Sequence, residues 1–114
     1  MSPLPRGLAL AHVDALPDPC ALVIEVACDG GFASLIVTRK GAIVSAFRNK
    51  CPHAGYPLQR SDGRIVVQEG RFMICGGHSA SFRLEDGACA GGPCNGDPLE
   101  RVAIEISDGV VMTR

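Results

Sequence analysis

An all-β fold, a small antiparallel sandwich or barrel, is what this 114-residue sequence predicts. Three observations carry that reading. Short aliphatic runs recur along the chain, the breaks between them are Gly- and Asp-rich turn signals, and no window free of Gly and Pro shows a 3.6-residue apolar period long enough for a substantial helix. Fourteen Gly and eight Pro supply the turns, and with 4% aromatic residues and no Trp the interior must be filled by Val, Ile, Leu and Ala.

The elements follow in order. Residues 1–20 hold prolines at positions 3, 5, 17 and 19, which keep the segment extended and turn it at Leu16-Pro17-Asp18-Pro19. Residues 1–9 read as a flexible lead-in, and the chain after them as one that packs along a sheet edge. Strands are expected at residues 21–28, 35–39, 42–47, 65–69, 72–75, 102–106 and 110–112. Asp29-Gly30-Gly31, Lys40-Gly41, Ser61-Asp62-Gly63, Glu69-Gly70, Glu85-Asp86-Gly87 and Ser107-Asp108-Gly109 punctuate the chain. The least strand-like stretches are 51–63 and 76–99. Neither a linker nor a repeat divides the chain, so residues 1–114 read as one domain.

Charge excludes several roles. Eleven basic and twelve acidic residues give a net charge of −1 without the basic stripe that nucleic-acid binding needs, and no apolar run approaches membrane-spanning length. No secretory signal is legible, so a cytoplasmic location is expected, where six cysteines are read first as metal or redox ligands and second as disulfides.

The two irregular stretches hold the chemistry. Cys51-Pro52-His53 and Cys75-Gly76-Gly77-His78 each place a thiol and an imidazole close together, and each follows an apolar run. Two such loops supply four ligands, two sulfur and two nitrogen, a complete set for zinc or for a binuclear cluster. Pro52, Ala54, Gly55, Gly76 and Gly77 leave room for backbone N–H groups to approach sulfur, which stabilises added negative charge and favours a cluster with bridging sulfides.

The segment Cys51-Pro52-His53-Ala54-Gly55-Tyr56-Pro57-Leu58, followed by Cys75-Gly76-Gly77-His78 and Phe82, resembles the Rieske iron–sulfur domain. Residues 41–49 resemble the strand feeding its first ligand loop. Gly91-Gly92-Pro93 and Pro98-Leu99 resemble its proline loop, placed at 89–99, and the ligand loops fall at 51–58 and 75–82. The resemblance implies one [2Fe-2S] cluster per chain, with Cys51 and Cys75 on one iron and His53 and His78 on the other. It implies a one-electron carrier of the free-standing ferredoxin type, taking electrons from a flavoprotein-type reductase and docking transiently on an acceptor oxygenase or reductase. Ala54, Pro57, Gly77 and Pro93 would form the docking tip, and the balanced net charge suggests a modest salt dependence.

The sequence departs from the family pattern in three ways. Twenty-one residues separate His53 from Cys75, longer than usual, with the excess expected around 59–63 or in longer strands. Ser79 stands where Gly is usual, and Gly76 where Pro is frequent. The cysteine pair that bridges the ligand loops of high-potential members has no counterpart at Gly55, Tyr56 or Gly77, so a low-potential cluster is expected.

Other readings are weighed beside this one. The same four side chains could form a structural zinc site in a non-redox interaction module, and the resemblance also extends to the small subunit of nitrite reductase. His12 reads as a strand or surface residue, and Cys20 and Cys28 as small buried hydrophobes. Cys89 and Cys94 lack the continuation of a plant-type ferredoxin motif and are expected as thiols rather than a bridge, with Cys94 a candidate for tuning the cluster. No catalytic triad, phosphate loop or mononuclear iron site remains once His53 and His78 are assigned, so the chain reads as an electron-transfer component of an oxidoreductase system and not an enzyme by itself.

Overall fold

The computed structural model describes residues 4–28, 30–52, 55–76, 79–92, 94 and 96–114. Among these the chain forms antiparallel strands and one 3-10 turn, with no α-helix. Leu10 anchors β1 (Ala9–His12), which leads into the 3-10 turn at Val13–Ala15. β2 (Cys20–Cys28) and β3 (Gly31–Lys40) form a long hairpin, and β4 (Ile43–Arg48) adds to its other side. β5 (Val66–Gln68), β6 (Phe72–Ile74), β7 (Ser81–Arg83) and β8 (Cys89–Gly91) make a second sheet of three-residue strands. β9 (Ile104–Ser107) and β10 (Val110–Thr113) close a third sheet with β1, in the order β1-β10-β9.

The β2-β3-β4 sheet contributes to two cores. Leu35, Ile36, Val37 and Thr38 of β3 are all buried, because alternate side chains point to opposite faces. Leu35 and Val37 pack with Leu10, Ala46, Val102 and Val111, whereas Ile36 packs with Phe47, Leu58, Met73, Phe82 and Leu84. The polar Thr38 is satisfied by donating from Oγ1 to the Leu84 carbonyl at 2.6 Å, which ties β3 to the turn after β7. Gly87 in that turn has φ +71°, and a Cβ there would lie 2.6 Å from the Phe47 ring, so only Gly fits.

The seven expected strands are present with shifted ends. β3 begins at Gly31 because the hairpin ladder continues from Leu35↔Ile24 to Gly31↔Cys28, past the β-branched residues that signal it. β9 begins later than expected because Arg101 bridges Phe47 and Val102 donates to the Ala46 carbonyl, so this segment serves the β2-β3-β4 sheet first. Residues 9–12 do pack along an edge, as β1 on β10. β7 and β8 correct the expectation of an irregular stretch over 76–99. With Phe82 the sole fully buried large side chain of the pair and Ala and Gly around it, no alternation was there to be read.

Candidate functional site: two cysteine loops against one core

Both cysteine loops grow from strand ends. β4 leads into Asn49-Lys50-Cys51, and β6 leads directly into Cys75. The second loop caps the β6–β7 hairpin, whereas the first crosses from β4 to β5 in another sheet.

The two loops close with the same hydrogen bonds. Cys51 N–H donates to the Tyr56 carbonyl at 2.7 Å, and Gly55 N–H donates back to the Cys51 carbonyl at 2.7 Å. Cys75 N–H donates to the Ala80 carbonyl at 2.8 Å, and Ser79 N–H to the Cys75 carbonyl at 2.9 Å. The fourth residue after each cysteine is left-handed, Gly55 at φ 75° and Ser79 at φ 59°. That position asks for Gly, and Ser79 occupies it at a cost of about 1 kcal/mol. Cys51 and Cys75 are 0% and 1% exposed and belong to one apolar cluster. Gly76 N–H donates to the Leu58 carbonyl at 3.0 Å and links the loops directly.

Each loop has its own support. Asn49 is buried, and its Nδ2 donates to Ser34 Oγ (3.0 Å) and Gln59 Oε1 (2.6 Å) while its Oδ1 accepts from Leu58 N–H (2.8 Å). It thereby holds the exit of the first loop to β3. The second loop is clamped from outside: at Gly92, φ +78°, a Cβ would lie 2.8 Å from the Ser79 carbonyl oxygen and 2.9 Å from Ala80 Cα. Gly92, in the 89–99 segment, therefore lies against the second loop. Residues 60–64 close on themselves through Arg60 N–H to the Arg64 carbonyl (2.8 Å) and Arg64 N–H to Asp62 Oδ1 (2.9 Å). This turn occupies part of the long spacer, in which β5 and β6 have three residues each. Arg60 backs Gly76, where a Cβ would meet its Cγ at 3.0 Å.

Of the expected ligands, Cys51 and Cys75 are brought together at the edge of one core, while His53 and His78 lie outside the described residues. So do Ala54, Gly77 and Pro93 of the expected tip; Pro57 is exposed. His12 is exposed at the end of β1, as a surface residue. Cys20 is buried, and desolvation pushes its thiol above the ordinary range, which suits an inert core residue; Cys28 is only half-buried at the end of β2. One expectation is overturned: Cys89 and Cys94 are joined in a disulfide, with Cα atoms 6.1 Å apart. The β7–β8 ladder and the turn at Gly92 bring the pair within bridging distance, which spacing alone does not reveal. Sequence reasoning also missed Asn49; its signal was a carboxamide at the end of an apolar strand, just before a cysteine motif.

The paired loops bring two buried cysteines, two soft sulfur donors, into one core, as a candidate metal centre needs. The soft sulfur donors, backed by a closed core, fit an iron–sulfur group. A family model for the Rieske [2Fe-2S] domain matches residues 9–105, and the chain belongs to that family. Among solved structures it is similar to a ferredoxin from Sphingomonas yanoikuyae, at 26% identity and a TM-score of 0.70, covering 94% of this chain and 96% of that one. The ferredoxin of carbazole 1,9a-dioxygenase from Nocardioides aromaticivorans gives 22% identity and a TM-score of 0.72, covering 94% and 95%. A structure described as the small subunit of an NADPH nitrite reductase gives 16% and 0.63, covering 94% and 96%. Nothing among curated proteins matches the chain.

Proposed function

We propose that the chain is a single-domain one-electron carrier, taking electrons from a flavoprotein-type reductase and passing them to a partner oxygenase. What carries the reading is the pair of matched loops that bury Cys51 and Cys75 against one core in a Rieske-family chain of ferredoxin length. Cys51, His53, Cys75 and His78 would hold one [2Fe-2S] group, two thiolates on one iron and two imidazoles on the other. When bound, that group supplies reversible one-electron exchange. The chain's own residues do the rest: Leu58, Leu99 and Ala80 limit water at the cysteines, and the loop closures fix the backbone around them. Exposed Pro57 follows the first loop and belongs to the expected docking face. Among the described residues no disulfide joins the two ligand loops, Cys51 and Cys75 being free thiols, which supports a potential in the ferredoxin range.

The test is anaerobic purification, assay of iron, sulfide and zinc, and an EPR spectrum after dithionite reduction. Iron and sulfide at about two each per chain, with an average g below that of all-cysteine clusters, is the expected result. One zinc per chain without sulfide would replace the reading with a colourless interaction module. The likeness to a nitrite reductase small subunit supports a second reading, an auxiliary subunit of such an enzyme. Stable co-purification with a large reductase, rather than transient turnover with an oxygenase, would favour it.

A further inference from the structure

The 89–99 segment offers chemistry that the electron-carrier reading leaves unused. We infer that Cys89–Cys94 is a second redox site, a disulfide exchanged by low-potential dithiols, and that its state is coupled to the second cysteine loop; the coupling rests on the function proposed above. Cys89 is half-buried on β8 opposite Phe82, while Cys94 is 1% exposed in the core that also holds Cys51 and Cys75. Cys89 is only half-buried, so a dithiol can reach its sulfur, and with the partners five residues apart the bridge adds little to the fold in the loop-entropy model, so its opening leaves the fold standing.

The ring that the bridge closes contains the clamp. Gly92 lies between the two cysteines and presses on Ser79 and Ala80, and Cys94 N–H donates to the Gly92 carbonyl at 2.9 Å. Ser79 and Ala80 are the residues whose backbone groups close the loop on Cys75. Opening the bridge frees the ring that pins Gly92 and so loosens the second loop, whereas Asn49 leaves the first loop untouched. In the exchange, a reductant thiolate attacks Cys89 Sγ, the more accessible sulfur, and the S–S bond breaks with Cys94 leaving as thiolate. The second thiol of the reductant then displaces Cys89 and forms the reductant's own disulfide. Two electrons and two protons end on Cys89 and Cys94. Because linkage is reciprocal, a clamp state that favours one redox state of the loaded centre is itself favoured by that state.

The test uses the loaded chain equilibrated in oxidised or reduced dithiothreitol and desalted anaerobically. Alkylation after unfolding should count four thiols in the oxidised sample and six in the reduced one. The midpoint by protein-film voltammetry should differ between the two, and the visible absorbance of the centre should decay several-fold faster from the reduced form. A Cys89→Ser, Cys94→Ser double variant should match the reduced form in both buffers; where it does not fold, the wild-type pair decides. Six thiols under oxidising conditions would overturn the site, and equal midpoints and lifetimes across the two thiol states would overturn the coupling alone. A chain without iron and sulfide would overturn the carrier reading and the coupling with it.

Discussion

The two cysteine loops close by the same pair of backbone hydrogen bonds yet are held in place by different means. The first, from Cys51 to Tyr56, is anchored from within by Asn49, a buried side chain that reaches β3 and the loop exit. The second, from Cys75 to Ala80, is the tip of a three-residue hairpin clamped from outside by Gly92. Identical local closure, then, does not fix where a loop sits; the long-range supports do, and they fail in different ways.

The largest expected effect is at Asn49. Asn49→Ala strands Leu58 N–H in a buried site and removes two further bonds, and should cost about 3 kcal/mol in urea unfolding. The loss should appear in the first loop by hydrogen exchange, with Cys75 N–H still protected; equal loss of protection in both loops would end the view that they are supported separately. Gly92→Ala is the matching probe of the second loop. With φ +78° and two contacts under 3 Å, it should cost about 2 kcal/mol and expose Cys75 N–H while sparing Cys51 N–H.

A stabilising change sharpens the contrast. Ser79→Gly relieves the left-handed serine and brings the second loop to the composition of the first at Gly55, for a gain of up to about 0.5 kcal/mol after the added chain entropy of Gly. A loss of stability would mean that the Ser79 side chain contributes more than its backbone strain costs.

A pH-dependent effect of similar small size concerns the base of the second hairpin. The Lys40 ammonium lies 2.8 Å from Glu85 and, with further help from the Glu85 backbone and Arg83, holds its carboxyl at about 2, below the ordinary 4.5. A depressed carboxyl contributes stability that is complete above pH 4.5 and is lost as pH falls towards 2. Since Lys40 is 39% exposed, screening limits this to about 1 kcal/mol or less, read as the difference in acid unfolding between the wild type and Glu85→Gln. The difference should vanish near pH 2.

Much of this molecule was legible before folding. Short aliphatic runs such as Leu35-Ile36-Val37 and the Gly-containing turns between them declared a β protein because run length and turn chemistry are local properties. The cysteine motifs pointed to the candidate site because ligand spacing within a loop is local too. Hidden from the sequence was everything that depends on segments far apart in the chain meeting. Three-residue β7 and β8 carry too few side chains to show a period and exist because β7 pairs with β6 and β8 with β7. The role of Asn49 needed Ser34 and Leu58 to meet around it. The bridge between Cys89 and Cys94 contradicted an expectation drawn from compartment alone, since proximity is set by the ladder and the turn at Gly92. The sequence by itself determined the β class and the residues able to bind metal, since both follow from local chemistry. Only the tertiary structure decided how the two loops are supported and which cysteines pair, because those depend on which distant backbones come within hydrogen-bond and van der Waals reach.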